Sequence, residues 1–110
     1  MRLIYLAAPL SPVGDETVYS NLFRAKSIYE TLSEAGKNDE LVFIAPWILN
    51  CEVFEDNPIN RDLGMKRNFA VIERCDELWL VGPRISSGMA AEAAHAARSG
   101  IVVLTKVKEK

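Results

Sequence analysis

A layered α/β domain on a four-stranded parallel sheet is the fold class predicted by three observations. Four short apolar runs alternate with three longer helical patterns. The runs carry no polar alternation, as expected for strands covered on both faces. Proline or glycine punctuates every run, separating strand from helix. The resulting order β-α-β-α-β-α-β, with right-handed crossovers, stacks helices on a sheet. With the first strand central, the strand order is 2-1-3-4, a flavodoxin-like or Rossmann-like three-layer sandwich. At 110 residues the chain holds one core, so residues 1–110 are read as a single domain.

Each element follows from its residues. The first strand, Leu3 to Ala8, stops at Pro9. Leu22, Ala25, Tyr29 and Leu32 recur at helical spacing, and Ala35-Gly36 ends that helix. Leu41 to Ala45 forms the second strand and stops at Pro46. The segments 9–18 and 46–61 read as long loops. Met65, Phe69 and Ile72 make the apolar face of the second helix, with Asn60 or Asp62 as its N-cap. The third strand, Leu78 to Val81, meets Gly82-Pro83. The alanine-rich third helix spans Ser87 to Arg98, and Gly100 separates it from the last strand, Ile101 to Leu104.

Composition narrows the function. The chain is 49% hydrophobic and 25% charged, so it is expected to fold rather than stay disordered. Its net charge is −2, and the only basic cluster is Lys106, Lys108 and Lys110; a nucleic-acid polymer is not the expected partner. Cys51 and Cys75 form no CxxC motif and His95 is the single histidine, so neither metal nor cofactor is expected. Two lone thiols suit a reduced, cytoplasmic setting. The opening Met1-Arg2 and its short apolar run loosely imitate a signal peptide, but the run reads better as the first core strand. No stretch approaches the ~18 apolar residues of a membrane span.

In open parallel sheets, ligands bind beyond the carboxyl ends of the strands where strand order reverses. That places a crevice between the loop 9–18 and the loop 82–87. The second loop runs into a helix through Ser86, Ser87 and Gly88, a start suited to cradling phosphate or ribose. The same serines serve equally as a plain N-cap. On the helix, Gly88, Glu92, His95 and Ser99 share one stripe, and Ala90, Ala93, Ala94 and Ala97 the opposite one, expected to pack on the sheet. Glu92 then projects near the positive helix end, which favours its ionised form. It is either a solvated acid or a carboxylate beside a sugar-sized cleft. Tyr5 is either core or the partner of a cleft carboxylate. His95 is either surface or a proton shuttle. Trp47 and Trp79 read as packing, with Trp47 placed to line the crevice, and Asp76-Glu77 reads as a turn.

Two stretches carry a family resemblance. Ile4-Tyr5-Leu6-Ala7-Ala8-Pro9 resembles the first strand of nucleoside 2-deoxyribosyltransferases and related deoxynucleotide N-glycosidases. Cys75-Asp76-Glu77-Leu78-Trp79-Leu80-Val81, followed by Ser87-Gly88-Met89-Ala90-Ala91-Glu92-Ala93-Ala94-His95-Ala96, resembles their aspartate-strand and small-Gly-x-x-x-Glu helix. The phrases Asp76-Glu77-Leu78-Trp79 and Ile85-Ser86-x-Gly88-Met89 are similar to those of short phage and bacterial members of unknown function in that superfamily.

The resemblance implies cleavage or transfer at the N-glycosidic bond of a (deoxy)nucleoside or its 5′-monophosphate. Glu92 corresponds to the nucleophile and Tyr5 to the tyrosine that holds it. Ala8, Pro9, Asn68, Gly82, Ser86, Ser87, Gly88 and Met89 correspond to substrate contacts. A homo-oligomer is implied too, and the alanine-rich helix fits one. The sequence departs from the transferases at Asn68, an amide where they carry an aspartate, and at His95, where they carry a small or aromatic residue. Asp56, Asp62 or Glu55 are then the candidate replacement acids. The alternatives are a nucleotide-binding module of the same fold without catalysis, and a purely structural oligomer.

Overall fold

The computed structural model describes residues 1–108; Lys110 of the basic cluster lies outside them. Strand β1, Arg2–Ala7, is followed by helix α1, Val18–Gly36, and a 3₁₀ turn, Lys37–Asp39. Strand β2, Leu41–Ile44, leads into α2, Pro46–Val53, and α3, Pro58–Ile72. Strand β3, Glu77–Leu80, helix α4, Ser87–Arg98, and strand β4, Val102–Thr105, complete the chain. All strand pairs are parallel, as the apolar runs predict, and the order is β2-β1-β3-β4, the one expected with the first strand central.

Alternation along β1 divides the interior in two. Tyr5 and Ala7 face one side, where they join Leu78, Leu80, Trp47, Ile72, Met89 and Ala96. Ile4 and Leu6 face the other, with Phe43 and Val81, and are covered by Ile28 and Leu32 of α1. One strand therefore feeds both cores because successive side chains point to opposite faces. Among the described residues, no helix is long and apolar enough to cross a membrane.

Three expectations need correction. The stretch 46–61 is not a long loop, since α2 occupies its first half with Pro46 in its first turn. Proline's preset φ suits a helix start, so Pro46 ends one element and begins the next. Helix α3 begins earlier than Asn60 or Asp62. Asn57 is its cap, accepting from the Asn60 backbone N–H at 2.8 Å, and Pro58 follows it. Asn60 instead donates to the Glu55 carbonyl, and Asp62 pairs with Lys66. On α4 only Ala93 of the alanine stripe packs against the core: Ala90, Ala94 and Ala97 are exposed, while Met89, Glu92 and Ala96 are buried. Met89 offers far more apolar area than an alanine and takes the core position.

Gly82 couples the ends of β1 and β3. Its φ is +99°, and a Cβ there would lie 2.9 Å from Pro9 Cδ. Both the left-handed backbone and the contact exclude a side chain. Gly82→Ala is expected to cost about 1–3 kcal/mol, read as a lower urea midpoint with an unchanged slope; an unchanged midpoint would show that the loop relaxes freely.

Candidate active site

Because β1 and β3 are central neighbours, their carboxyl ends bring Tyr5 and the start of α4 together. The Tyr5 hydroxyl donates to Glu92 Oε2 at 2.5 Å across 87 residues of sequence. Tyr5 is wholly buried and Glu92 is 6% exposed. Of the two readings open for each residue, Tyr5 partners a carboxylate, and Glu92 is not a solvated acid.

Burial also reverses the expected charge preference. Desolvation pushes the Glu92 carboxyl up to about 7 from an ordinary 4.5, and hydrogen bonding from Tyr5 and Asn68 only partly opposes it. The helix-end position does not keep it acidic, because removing a carboxylate from water outweighs a partial dipole charge. Tyr5 is pushed well above the ordinary phenol range, first by burial and then by the neighbouring Glu92 charge. It stays a hydrogen-bond donor at any physiological pH.

Asn68, on α3, completes the cluster. It is 7% exposed, and its Oδ1 has no hydrogen-bond partner among the described residues. A side-chain amide can meet both states of Glu92, giving N–H to the carboxylate or accepting O–H from the acid. An aspartate offers the ionised acid no donor.

The crevice is displaced from its expected place. Arg84, in the loop after β3, donates to the Ser11 carbonyl at 2.9 Å and pairs with Glu16 at 2.6 Å. Asn21 bonds both the Leu10 carbonyl and Glu16. Arg84 beside Glu16 holds that carboxyl down to about 2. These contacts bridge the loops after β1 and β3. The opening lies instead towards α2 and α3, where a cavity of about 180 Å³ is lined by Leu10, Trp47, Met65, Asn68 and residues of the α2–α3 junction. Trp47 both packs and lines, its indole N–H anchored to the Leu6 carbonyl at 2.8 Å.

The remaining expected contacts divide. Ser86 is the N-cap of α4, accepting from the Met89 N–H at 3.2 Å, and Met89 is buried in the core. Ser87 is exposed and Gly88 half-buried at the helix start. A Cβ on Gly88 would stand 3.7 Å from Met65 Cε, so Met65 lies between the start of α4 and the cavity it lines. Pro9 is buried against Gly82, and Ala8 is half-buried. His95 stacks on Phe69 at 4.2 Å and contacts Glu73 at 2.7 Å, which makes it a packing residue rather than a shuttle to Glu92. Asp76 accepts from the Leu3 N–H at 2.8 Å, tying the start of β1 to β3.

Of the candidate acids, Asp56 and Glu55 line the cavity. Arg61 grips Asp56 through two bonds of 2.5 and 2.9 Å and holds its carboxyl below the usual range. The cavity residues missed from the sequence, among them Asn50, Cys51 and Phe54, belong to the helix and junction read as loop; Pro46 was the available signal. No cluster of three or more metal-ligating side chains occurs among the described residues.

A family model described as a domain of unknown function (DUF7768) matches residues 2–106. No curated protein matches the chain.

Proposed function

We propose that the chain, which belongs to the DUF7768 family of unknown function, acts on the N-glycosidic bond of a (deoxy)nucleoside or its 5′-monophosphate, with Glu92 as nucleophile. The observation that carries this reading is the buried Tyr5–Glu92 pair joined to a cavity wall through Asn68. In the ionised form, Glu92 attacks C1′ of the sugar. The C1′–N bond breaks, its electron pair leaves with the base, and a glycosyl ester forms on the carboxylate. Water then hydrolyses the ester, or a second base accepts the sugar. Tyr5 holds Oε2, leaving Oε1 for the attack. The unpartnered Asn68 Oδ1 offers an acceptor to a substrate hydroxyl or amine.

Two features bear on the finer reading. The cavity, at about 180 Å³, is smaller than the ~300–1,000 Å³ usual for ligand sites. Leu49, Val53, Phe54 and Ile59 are exposed on the flanking α2–α3 segment. A neighbouring copy of the chain, covering that apolar rim, would supply the missing wall, in keeping with a cytoplasmic homo-oligomer. The leaving base also needs a proton, and with Asp56 held ionised by Arg61, Glu55 is the lining carboxyl free of such a grip among the described residues.

The test is chromatography for free base after incubation with the common deoxynucleosides and their 5′-monophosphates, with and without an acceptor base. Release by the wild type but not by Glu92→Ala supports the reading, and no release from any substrate overturns it. A second reading, a binding module without turnover, is favoured by one observation: Asn68 is an amide where an acid would assist departure of the base. It predicts that the same nucleotides raise the melting temperature, by about 2.7 kcal/mol of linkage at 100 times Kd, with no base released.

A further inference from the structure

The face of the sheet opposite Glu92 is only half covered. Helix α1 lies over β1 and β2, with Ile28 and Leu32 on Ile4, Leu6 and Phe43. A helix is ~10 Å across and strands are ~4.8 Å apart, so one helix shields about two strands. Helices α3 and α4 both pack on the other face. Among the described residues no helix lies over the outer half, β3 and β4. Between α1 and these strands runs a groove of about 620 Å³, within the usual range for small-molecule sites.

Its chemistry is sorted along its length. The inner end is apolar, formed by Ile28, Leu32 and Trp79. Arg24 and Lys108 lie towards the other end, where the Lys108 N–H donates to the Gly82 carbonyl, and Lys106 joins the groove from beyond β4 with its ammonium reaching back over Trp79. The topology explains the sorting: Lys106 and Lys108 follow the carboxyl end of β4, and Arg24 lies in the early turns of α1, which starts above those same strand ends. From Arg24 to Leu32 the helix rises ~12 Å, enough for one or two fused rings. The Trp79 indole is held edge-on by Phe43 at 5.2 Å and donates its N–H to Glu77 at 2.8 Å. Its polar edge is thus satisfied, and the ring lines the groove. The Lys106 ammonium sits 5.1 Å from that ring centroid. Neither Lys106 nor Lys108 pairs with a carboxylate among the described residues.

We propose that this groove binds a small aromatic anion, its rings against Ile28, Leu32 and Trp79 and its charge met by Arg24, Lys106 and Lys108. Charge complementarity selects this occupant. A second copy docked groove to groove would set cation against cation, and a neutral apolar segment would leave the lysines unanswered. The proposal is independent of Glu92 chemistry, because the site lies on the other face of the sheet.

The two tryptophans, one on each face, make the test direct. In a ¹H–¹⁵N spectrum, titration with 1-naphthoate is expected to shift the Trp79 indole signal saturably and leave Trp47 in place, with assignment by Trp79→Phe. The paired substitution Lys106→Ala and Lys108→Ala is expected to weaken binding about tenfold without unfolding the protein. The neutral 1-naphthalenemethanol should bind weaker than 1-naphthoate by a similar factor. Several outcomes overturn the proposal: no saturable shift, equal shifts of both indoles, or full affinity in the lysine variant. Equal binding of the neutral probe would overturn it too, and would mark a face made for an apolar protein segment. A Trp79 signal that moves with protein concentration alone would make a second copy the occupant.

Discussion

Glu92→Gln is expected to lower release of free base by roughly 10⁴-fold or more, the scale seen when a covalent nucleophile is removed. An amide oxygen cannot form the glycosyl ester, so the loss falls on the bond-making step. The fold should survive. The substituted amide keeps an acceptor for the Tyr5 hydroxyl, now 2.5 Å from Oε2. Its N–H can donate to the buried Asn68 Oδ1, which has no partner among the described residues. Single-turnover assays on a responsive deoxynucleotide check the rate, and circular dichroism checks the fold. A folded Glu92→Gln protein with wild-type turnover would remove Glu92 from the chemistry. In the wild type, kcat/KM should rise with pH as Glu92 ionises through its pKa of about 7, since only the carboxylate attacks.

The second large effect is on stability. Glu92 has a folded-state pKa raised from 4.5 to about 7, chiefly by burial. The folded protein therefore binds this proton more tightly than the unfolded chain does. Below pH 4.5 both states hold the proton and the buried acid carries no charge penalty. Between 4.5 and 7 the unfolded chain ionises while the folded one does not, and stability is lost; above 7 the full penalty stands. A pKa gap of this size is worth about 3 kcal/mol. Glu16, held down to about 2 by Arg84, acts with the opposite sign: its contribution is present above pH 4.5 and fades as pH falls towards 2. Urea unfolding from pH 4 to 8 should show the loss in wild type. The difference from Glu92→Gln should isolate it, and parallel curves for the two proteins would refute it.

The fold was legible because its signals are local. The runs Leu3–Ala8, Leu41–Ala45, Leu78–Val81 and Ile101–Leu104 fall within one residue of the observed strands, since continuous apolar runs between breakers have few other ways to be buried. The capping of α4 by Ser86 and its limits were likewise readable. Helix α2 was not, because Pro46 and its apolar neighbours read equally well as a strand end and as a helix start. The alanine-rich face of α4 was misjudged for a related reason: helical spacing groups residues into stripes without saying which stripe faces the core.

Tyr5, Asn68 and Glu92 were each identifiable as candidates, but not as a cluster. Their sequence separation exceeds 20 residues, and only the pairing of β1 with β3 and the packing of α3 beside α4 bring them together. Likewise, the closing of the expected crevice by Arg84 and Glu16 depends on two loops that share no local signal.

By itself, then, the amino-acid sequence determined the strand count, the parallel sense of the strands and the residue types that bear chemistry, all set by short-range periodicity and breakers. The state of those residues was decided by tertiary structure alone. Glu92 holds its proton near neutrality because burial keeps water from it, against the opposing hydrogen bonds of Tyr5 and Asn68. Desolvation depends on everything that packs around a group, and no spacing along the chain encodes it.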